Sequence, residues 1–244
     1  EVLASLGADA CTLRDVRFVR AIELPADGDA LLALTAASPR AGRIDISHNA
    51  ELVASMQYEL GELSPGSAEL IAGTEAELDA CEVADAHAVA EPYALFGAAG
   101  FHYGPAFARL ERVRVRGDVA CADIALRPCR VEQELCPGAL DAAMQLASLT
   151  EGGAMGVPVR MDLLRWRRGC TGVLAARAAT SADGGNARIT ARSADGVAQL
   201  TLCGLDLRVT RQHAPLGWSA PSEVAHLDAS GELLSEGRLV PLAP

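Results

Sequence analysis

Lysine is missing from this sequence, so all 21 of its basic residues are arginines. They stand against 32 acidic residues, which gives a formal net charge of −11 at pH 7. A protein that binds nucleic acid needs a basic surface to neutralise phosphates. The charge balance therefore argues against a nucleic-acid partner.

Long apolar runs are also missing, because no segment approaches the roughly 18 consecutive apolar residues that suggest a membrane-spanning helix. No basic segment with a cleavage site opens the chain, so no secretory signal peptide is expected. The seven cysteines are scattered singly, without a CxxC pair. That pattern argues against a zinc site and a disulfide framework. Together these absences predict a cytoplasmic protein with reduced thiols and no membrane partner.

The excess negative charge lies in one segment. Between Ile44 and Ala108 the sequence has eleven acidic residues and no arginine. Within it, residues 61–92 lose lasting periodicity and are rich in serine, glycine, proline and acids. We interpret them as a connection between two sheet units, with one short helix around Ala68–Ala80. A solvated linker would account for the acidity.

One helical stretch organises the chain, Leu135–Thr150, which reads LCPGALDAAMQLASLT. A Pro-Gly pair interrupts the preceding segment, and apolar residues then occupy nearly every side of the helix. The exception is a stripe of Asp141, Gln145 and Ser148, whose spacings of four and three place them on one face. A helix this apolar belongs inside a sheet. Its aspartate then lies either at a solvent edge or in a pocket.

The first half of the chain alternates like a set of antiparallel strands. Cys11–Leu24 predicts a strand with Val16 and Phe18 on one face and a bulge near Val19, where the alternation slips. Before it, Glu1–Leu6 is typical of the end of a helix stopped by a glycine. Further strands are expected at Leu31–Thr35, around Ile44 and Ile46, and over Leu52–Leu60, with a turn at His48-Asn49.

The second half repeats the order of helix and then strands in complete form. A short helix near Tyr93–Ala98 precedes two strands and the helix that carries Asp141, and four more strands follow. Asp-Gly pairs at 183–184 and 195–196 predict hairpins among the last strands. The six strands are expected at Leu110–Val115, Ala120–Leu126, Val157–Trp166, Gly172–Ala179, Ala187–Arg192 and Val197–Val209.

Three short motifs follow one another: GFHYGPAF at 100–107, CPGALDAAMQ at 136–145 and VPVRM at 157–161. Their order and spacing resemble the GYxYGPxF, HPxxLDxxxQ and LPxxx segments of the dehydratase domain of modular polyketide synthases. The resemblance covers residues 1–210. It implies an α+β double hotdog, in which two antiparallel sheets are each wrapped on a central helix. The expected units are a first hotdog incomplete at its N-terminus, a linker, a second hotdog and a C-terminal interdomain linker, at 1–80, 81–92, 93–211 and 212–244.

The resemblance implies loss of water from a 3-hydroxyacyl thioester on an acyl carrier protein, giving the 2-enoyl thioester. The family pairs a histidine base with an aspartic acid. Asp141 matches that acid, Gln145 would hold its carboxyl group by a hydrogen bond, and Tyr103 would offer its hydroxyl to the leaving group. No metal and no cofactor are implied beyond the phosphopantetheine that carries the substrate. The implied substrate-binding residues are Gly104, Pro105, Phe107, Val157 and Pro158.

The family's histidine base has no matching motif in this chain. Cys136 also stands where a histidine usually opens the aspartate motif. Either the base segment lies upstream of this chain, or the domain is a catalytically inert dehydratase-like element that spaces or dimerises the synthase. Product-template and pyran-forming domains, which direct cyclisation, share the scaffold and are a third interpretation. The chain has five histidines, none of which begins the family's HxxxGxxxxP motif: His48, His87, His102, His213 and His226.

Partners are implied by the same resemblance: an acyl carrier protein, the neighbouring synthase domains and a second copy in a homodimer. Carrier proteins are commonly acidic, so the surface that receives them should be locally basic. The only dense basic run is formed by four arginines around Trp166, and we hypothesise that it receives the carrier. Ordinary strand-surface arginines are the alternative. The four are Arg160, Arg165, Arg167 and Arg168.

Overall fold

The structure is a computed structural model that describes residues 8–22, 30–36, 40–81, 83–126, 136–151, 153, 155–167, 172–181, 186–209 and 237–239. The helices of these residues are α1 (Pro65–Ala80), α2 (Pro92–Ala98) and α3 (Pro137–Ser148). Their strands are β1 (Ala10–Phe18), β2 (Ala30–Ala36), β3 (Ala41–His48), β4 (Glu51–Leu60), β5 (His87–Ala88), β6 (Leu110–Arg116), β7 (Val119–Leu126), β8 (Val157–Arg167), β9 (Gly172–Thr180), β10 (Ala187–Arg192), β11 (Ala198–Arg208) and β12 (Gly237–Leu239).

All twelve strands lie in one antiparallel sheet, in the order β12-β2-β3-β4-β1-β8-β11-β10-β9-β7-β6-β5. β1 pairs with β4 on one edge and with β8 on the other. The α+β class and the antiparallel meanders are therefore confirmed. The two halves share one continuous sheet rather than forming two separate ones, because β1 joins them.

The strands predicted in the first half are confirmed as β2, β3 and β4. β3 and β4 meet in a tight turn at Asn49 and Ala50, whose φ angles of 51° and 62° are both left-handed. Two left-handed residues give the type of turn whose twist matches that of the flanking strands. The turn predicted at His48-Asn49 therefore exists, displaced by one residue.

β1 corrects the strand predicted over Cys11–Leu24 in its length and in the place of its bulge. The strand ends at Phe18, and its pairing with β4 shifts around Asp15 rather than near Val19. Asp15 adopts a left-handed φ of 49°, which accommodates the extra residue of the bulge. Val16 is 1% exposed and joins the core, whereas Phe18 is 38% exposed at the end of the strand.

α3 is the buried helix that its composition predicts. It packs against β7, β9 and β10, and Ala142, Ala143 and Leu146 are each 0% exposed. The same apolar core includes Val16 of β1, so residues from both halves of the sheet contribute to it. Removal of this surface from water, rather than intrinsic helix propensity, holds the helix in place.

α1 covers the opposite face of the sheet. Ile71 packs with Leu163 of β8 and Cys203 of β11. Their chain neighbours Leu164 and Leu202 lie instead in the core beneath α3. Successive side chains of a strand point to opposite faces, so the two helices sandwich the second half of the sheet.

The acidic segment pairs with arginines of the sheet. Arg192 of β10 forms ion pairs with Glu75 and Asp79 of α1, and Arg188 forms one with Glu77. The helix expected around Ala68–Ala80 is confirmed, and it begins three residues earlier, at Pro65. The structure thus replaces the expected solvated linker with a packed helix whose carboxylates have partners on the sheet.

The strands predicted in the second half are confirmed to within one residue at each end. β5 and β12 were not predicted, and β12 pairs with β2 from within the expected C-terminal linker. The boundaries of the units stay a prediction. The features expected at Glu1–Leu6, residues 183–185, Arg168, His213 and His226 lie outside the described residues.

The sequence predicted neither a membrane-spanning helix nor a disulfide framework, and the described residues bear on both. None of the three helices there has the length and apolar character needed to cross a membrane. The five cysteines of those residues form no disulfide with one another. Cys129 and Cys170 lie outside them.

Candidate active site

α3 carries the predicted acid on its inward side. Asp141 is partly buried near the start of the helix, and Gln145, one turn later, is 3% exposed. The Gln145 Nε2 donates a hydrogen bond of 2.6 Å to the Asp141 Oδ2, as the spacing of four predicts. Ser148, the third residue of the stripe, is 7% exposed. The polar stripe therefore faces into the protein and not into water.

Close packing fixes the start of α3 against the 100–107 segment. A Cβ at Gly138 would overlap the carbonyl oxygen of Ala106 and the side chain of Arg109, so the helix can approach this closely only with glycine there. Arg109 is 5% exposed and donates to the carbonyls of Ala106 and Ala125, at 2.6 and 3.2 Å. These contacts set the distance between the helix of Asp141 and the segment that carries Tyr103.

The end of α2 determines where Tyr103 lies. Gly100 turns the chain with a left-handed φ of 88°, and the Phe101 N–H donates to the Phe96 carbonyl at 2.9 Å, a common helix-ending pattern. The Tyr103 ring then packs edge-on against Phe96, with centroids 5.3 Å apart, and is stacked with Phe101 at 6.5 Å. The aromatic rings hold the tyrosine in one orientation.

The predicted substrate-binding residues fall in two places. The Gly104 carbonyl accepts the Phe107 N–H at 2.9 Å, and Pro105 lies on the exposed side of the turn that this bond closes. Val157 and Pro158 open β8, where they pair with β11. Contact of these five residues with a substrate stays a prediction.

The site shifts the pKa of both its candidate acids upward. Burial raises the pKa of Asp141 to about 6, and the hydrogen bond from Gln145 opposes that rise by stabilising the carboxylate. Burial also raises the pKa of the Tyr103 hydroxyl, and the negative charge of nearby Asp141 raises it further. Asp141 can therefore carry a proton near neutral pH, and Tyr103 remains protonated there. A carboxylic acid and a phenol poised in this way can both donate protons.

One residue of the site, Tyr93 of α2, could not be predicted from the sequence. Its hydroxyl donates to the Gln145 Oε1 at 3.1 Å and accepts the Leu110 N–H at 2.8 Å. The Gln145 Nε2 also donates to the Phe107 carbonyl at 3.3 Å. Gln145 is thus held from three directions. Tyr93 lies 52 positions before Gln145, so no local spacing could connect them.

The described histidines lie on other segments than α3, the helix that carries the acid. His87 is exposed in the two-residue strand β5, and His48 ends β3 with its Nε2 3.1 Å from the Asn49 side-chain amide. His102 precedes Tyr103 with its side chain exposed. Among the residues that the structure describes, no cluster of three metal-ligating side chains occurs.

The arginines predicted to receive a carrier protein differ in their contacts and exposure. Arg160 forms an ion pair with Asp162 at 2.7 Å. Arg165 donates to the Thr12 hydroxyl at 3.0 Å, and burial together with the charge of Arg167 lowers its pKa. Arg167 is exposed at the end of β8. Docking at this run stays a prediction.

Two cavities on the α1 side of the sheet are separate from the candidate acid. One, of about 870 Å³, is lined in part by Arg177 and Arg192. The other, of about 590 Å³, lies beside Thr74. Neither Asp141 nor Tyr103 lines either of them.

A family model described as the polyketide synthase dehydratase N-terminal domain matches residues 72–217, more than half of the chain. The matched segment includes α2, α3 and the residues that surround Asp141. A search among curated proteins returns no match.

Solved dehydratases share the fold. The dehydratase domain of RzxB from Pseudomonas fluorescens is 20% identical, with a TM-score of 0.64 over 85% of this chain and 80% of that chain. An inactive His-to-Phe mutant of the CurK dehydratase is 19% identical, with the same TM-score and coverage. GphF dehydratase 1 is 17% identical, with a TM-score of 0.65 over 84% and 77%. At these identities the likeness establishes the fold, and the double hotdog is confirmed.

Proposed function

Because the chain belongs to the polyketide synthase dehydratase family, we propose that it helps to remove water from a 3-hydroxyacyl thioester carried on an acyl carrier protein. The observation that supports this most directly is the pair of Asp141 and Gln145. A buried carboxyl group with a pKa of about 6 and a 2.6 Å hydrogen bond is suited to donating a proton near neutral pH.

Asp141 is the proposed general acid. A base removes the proton alpha to the thioester carbonyl. The electron pair of the broken carbon–hydrogen bond becomes the double bond between the alpha and beta carbons. The bond from the beta carbon to its hydroxyl breaks, and that oxygen takes the Asp141 proton to leave as water. Asp141 is left as a carboxylate, which the Gln145 N–H stabilises. Charge thus forms at an atom that already has a hydrogen-bond donor.

Tyr103 is the proposed second donor to the departing hydroxyl. Its raised pKa keeps the phenol protonated, and the rings of Phe96 and Phe101 hold its orientation. The turn from Gly104 to Phe107 lies directly after it and is proposed to contact the thioester. No cofactor is needed for these steps, because the electron pair moves within the substrate.

The base is proposed to be a histidine of the synthase that is not part of this chain. Two CurK dehydratase structures are described as inactive mutants, one with histidine changed to phenylalanine and one with aspartate changed to asparagine. Asp141 is the proposed counterpart of such an aspartate. A positioned general base contributes about 10²–10⁴-fold to a rate. The chain assayed without that histidine is therefore expected to dehydrate slowly.

The test is an assay of a synthase polypeptide that includes this chain and carries a 3-hydroxyacyl group on its carrier protein. Mass spectrometry should detect the loss of one water from the acyl group in the wild type. This dehydration should be largely abolished in Asp141→Asn. Asp118→Asn, at an exposed aspartate in the β6–β7 turn, is the matched control and should retain turnover. Turnover unchanged by Asp141→Asn would overturn the acid assignment.

Two other products would redirect the proposal. A wild type that binds the carrier but releases no water supports an inert spacing domain, in line with Cys136 at the usual histidine position. A cyclic product formed without an accumulating alkene supports a cyclising relative. The first outcome is visible in the same mass spectrum, whereas a ring can have the same mass as the alkene and is identified by NMR of the released product.

A further inference from the structure

We infer that Tyr93 is a positioning residue for Asp141, acting by fixing which end of the Gln145 amide faces the acid. The inference rests on the proposed function only in what it says about turnover. Its structural content, the orientation of one side-chain amide, can be measured without turnover.

The direction of each hydrogen bond follows from what each group can donate. A backbone N–H is only a donor, so the Leu110 N–H must donate to the Tyr93 hydroxyl oxygen, 2.8 Å away. A hydroxyl has one proton, and the Tyr93 hydroxyl donates it to the Gln145 side chain at 3.1 Å. The atom of Gln145 that faces Tyr93 must therefore be its carbonyl oxygen.

The remaining end of the amide is consequently its NH₂ group. It faces the Asp141 Oδ2 at 2.6 Å and the Phe107 carbonyl oxygen at 3.3 Å. A reversed amide would place its oxygen against these two acceptors and its NH₂ against a hydroxyl whose proton already points at it. Tyr93 and Phe107 thus specify the same orientation from opposite ends.

This orientation determines what Asp141 meets when it gives up its proton. An N–H donor stabilises the carboxylate, whereas an amide oxygen would stabilise only the protonated acid. Tyr103 is a titratable group near Asp141, and Tyr93 packs edge-on against its ring with centroids 6.1 Å apart. Tyr93 therefore contacts both Gln145 and Tyr103, the two groups that tune the acid.

The test replaces Tyr93 with phenylalanine, which keeps the ring and removes the hydroxyl. Asp141 is followed in the full chain by the pH dependence of its ¹³C carboxyl resonance, assigned by comparison with Asp141→Asn. Because the amide loses the partner that holds its oxygen, the Asp141 pKa should rise by on the order of one unit. In a synthase polypeptide, the high-pH limb of kcat/KM should move upward by a similar amount.

Tyr58→Phe is the matched control. Tyr58 is 6% exposed, and its hydroxyl has no hydrogen-bond partner among the residues that the structure describes. Removing that hydroxyl should leave the Asp141 titration unchanged. If Tyr93→Phe does not fold, fluorotyrosine at position 93 takes its place. Fluorotyrosine keeps the hydroxyl and makes it a stronger hydrogen-bond donor, so the Asp141 pKa should fall slightly.

The outcomes separate this inference from the proposed function. If Asp141 titrates near its ordinary value in the wild type, the acid role fails, whatever Tyr93 does. If it titrates near 6 in the wild type and equally in Tyr93→Phe, the acid role stands and positioning by Tyr93 is overturned. A rise confined to Tyr93→Phe, absent from Tyr58→Phe, supports the inference.

Discussion

Replacing the proposed acid should make the protein more stable above pH 6. Burial raises the Asp141 pKa from 3.8 to about 6. Between those values the folded state binds a proton at Asp141 that the unfolded state does not, so the contribution of this group to stability is fully present below pH 4 and is lost as the pH rises through 6. At 1.36 kcal/mol per pKa unit, the ionised form is disfavoured in the fold by about 3 kcal/mol.

Asp141→Asn removes this titration with little change of shape. Its side-chain oxygen can still accept the Gln145 N–H that now reaches the Asp141 Oδ2. The free energy of unfolding of the variant should exceed that of the wild type by up to about 3 kcal/mol at pH 8, with the difference closing below pH 4. Urea unfolding at several pH values measures this directly.

Asp118→Asn controls for a general effect of removing one negative charge from an acidic protein, since Asp118 is exposed. It should change stability by at most a few tenths of a kcal/mol at either pH. A stability gain for Asp141→Asn that is equal at pH 4 and pH 8 would refute the reasoning, because it would not come from titration of a buried acid. So would the absence of any gain at pH 8.

Two further predictions concern the core and the partner surface. Leu146→Ala, in the 0% exposed face of α3, should lower the free energy of unfolding by about 2–5 kcal/mol, whereas Leu70→Ala, 43% exposed on α1, should change it far less in the same denaturation experiment. Reversing Arg167 and Arg168 to glutamate should weaken turnover of a carrier-bound substrate, and added salt should do the same to the wild type. Turnover of a small thioester surrogate should not change, and an equal loss on both substrates would indicate damage to the fold instead of lost docking.

The sequence was sufficient where the signal is local. The four-residue spacing of Asp141 and Gln145 predicted their hydrogen bond, and the alternation of apolar residues predicted the strands of the second half closely. Helix α3 was found because its apolar surface is nearly complete, which only a buried helix shows. These features depend on residues within one or two turns of each other.

Features that depend on distant partners were missed. Tyr93 reaches Gln145 across 52 positions, and a tyrosine in a short helix looks the same whether or not its hydroxyl has a buried partner. The acidic residues of α1 resembled a solvated linker because Arg188 and Arg192, which neutralise them, lie more than a hundred positions later. The bulge in β1 was misplaced because a left-handed φ at Asp15 leaves no mark on apolar periodicity.

The pairing of β1 with β8 also has a consequence for folding during synthesis, because the two strands are far apart in the chain. Ala10 pairs with Arg167, which is 157 positions later in the chain. Synthesis proceeds at about 5–20 residues per second, so one edge of β1 waits roughly ten to thirty seconds for its neighbour. During that interval β1 and β4 can already form, but β1 presents unpaired backbone groups that another nascent chain could bind. Completion of the sheet around β1 therefore depends on the last third of the chain. Truncated products that stop before Val157 are expected to aggregate.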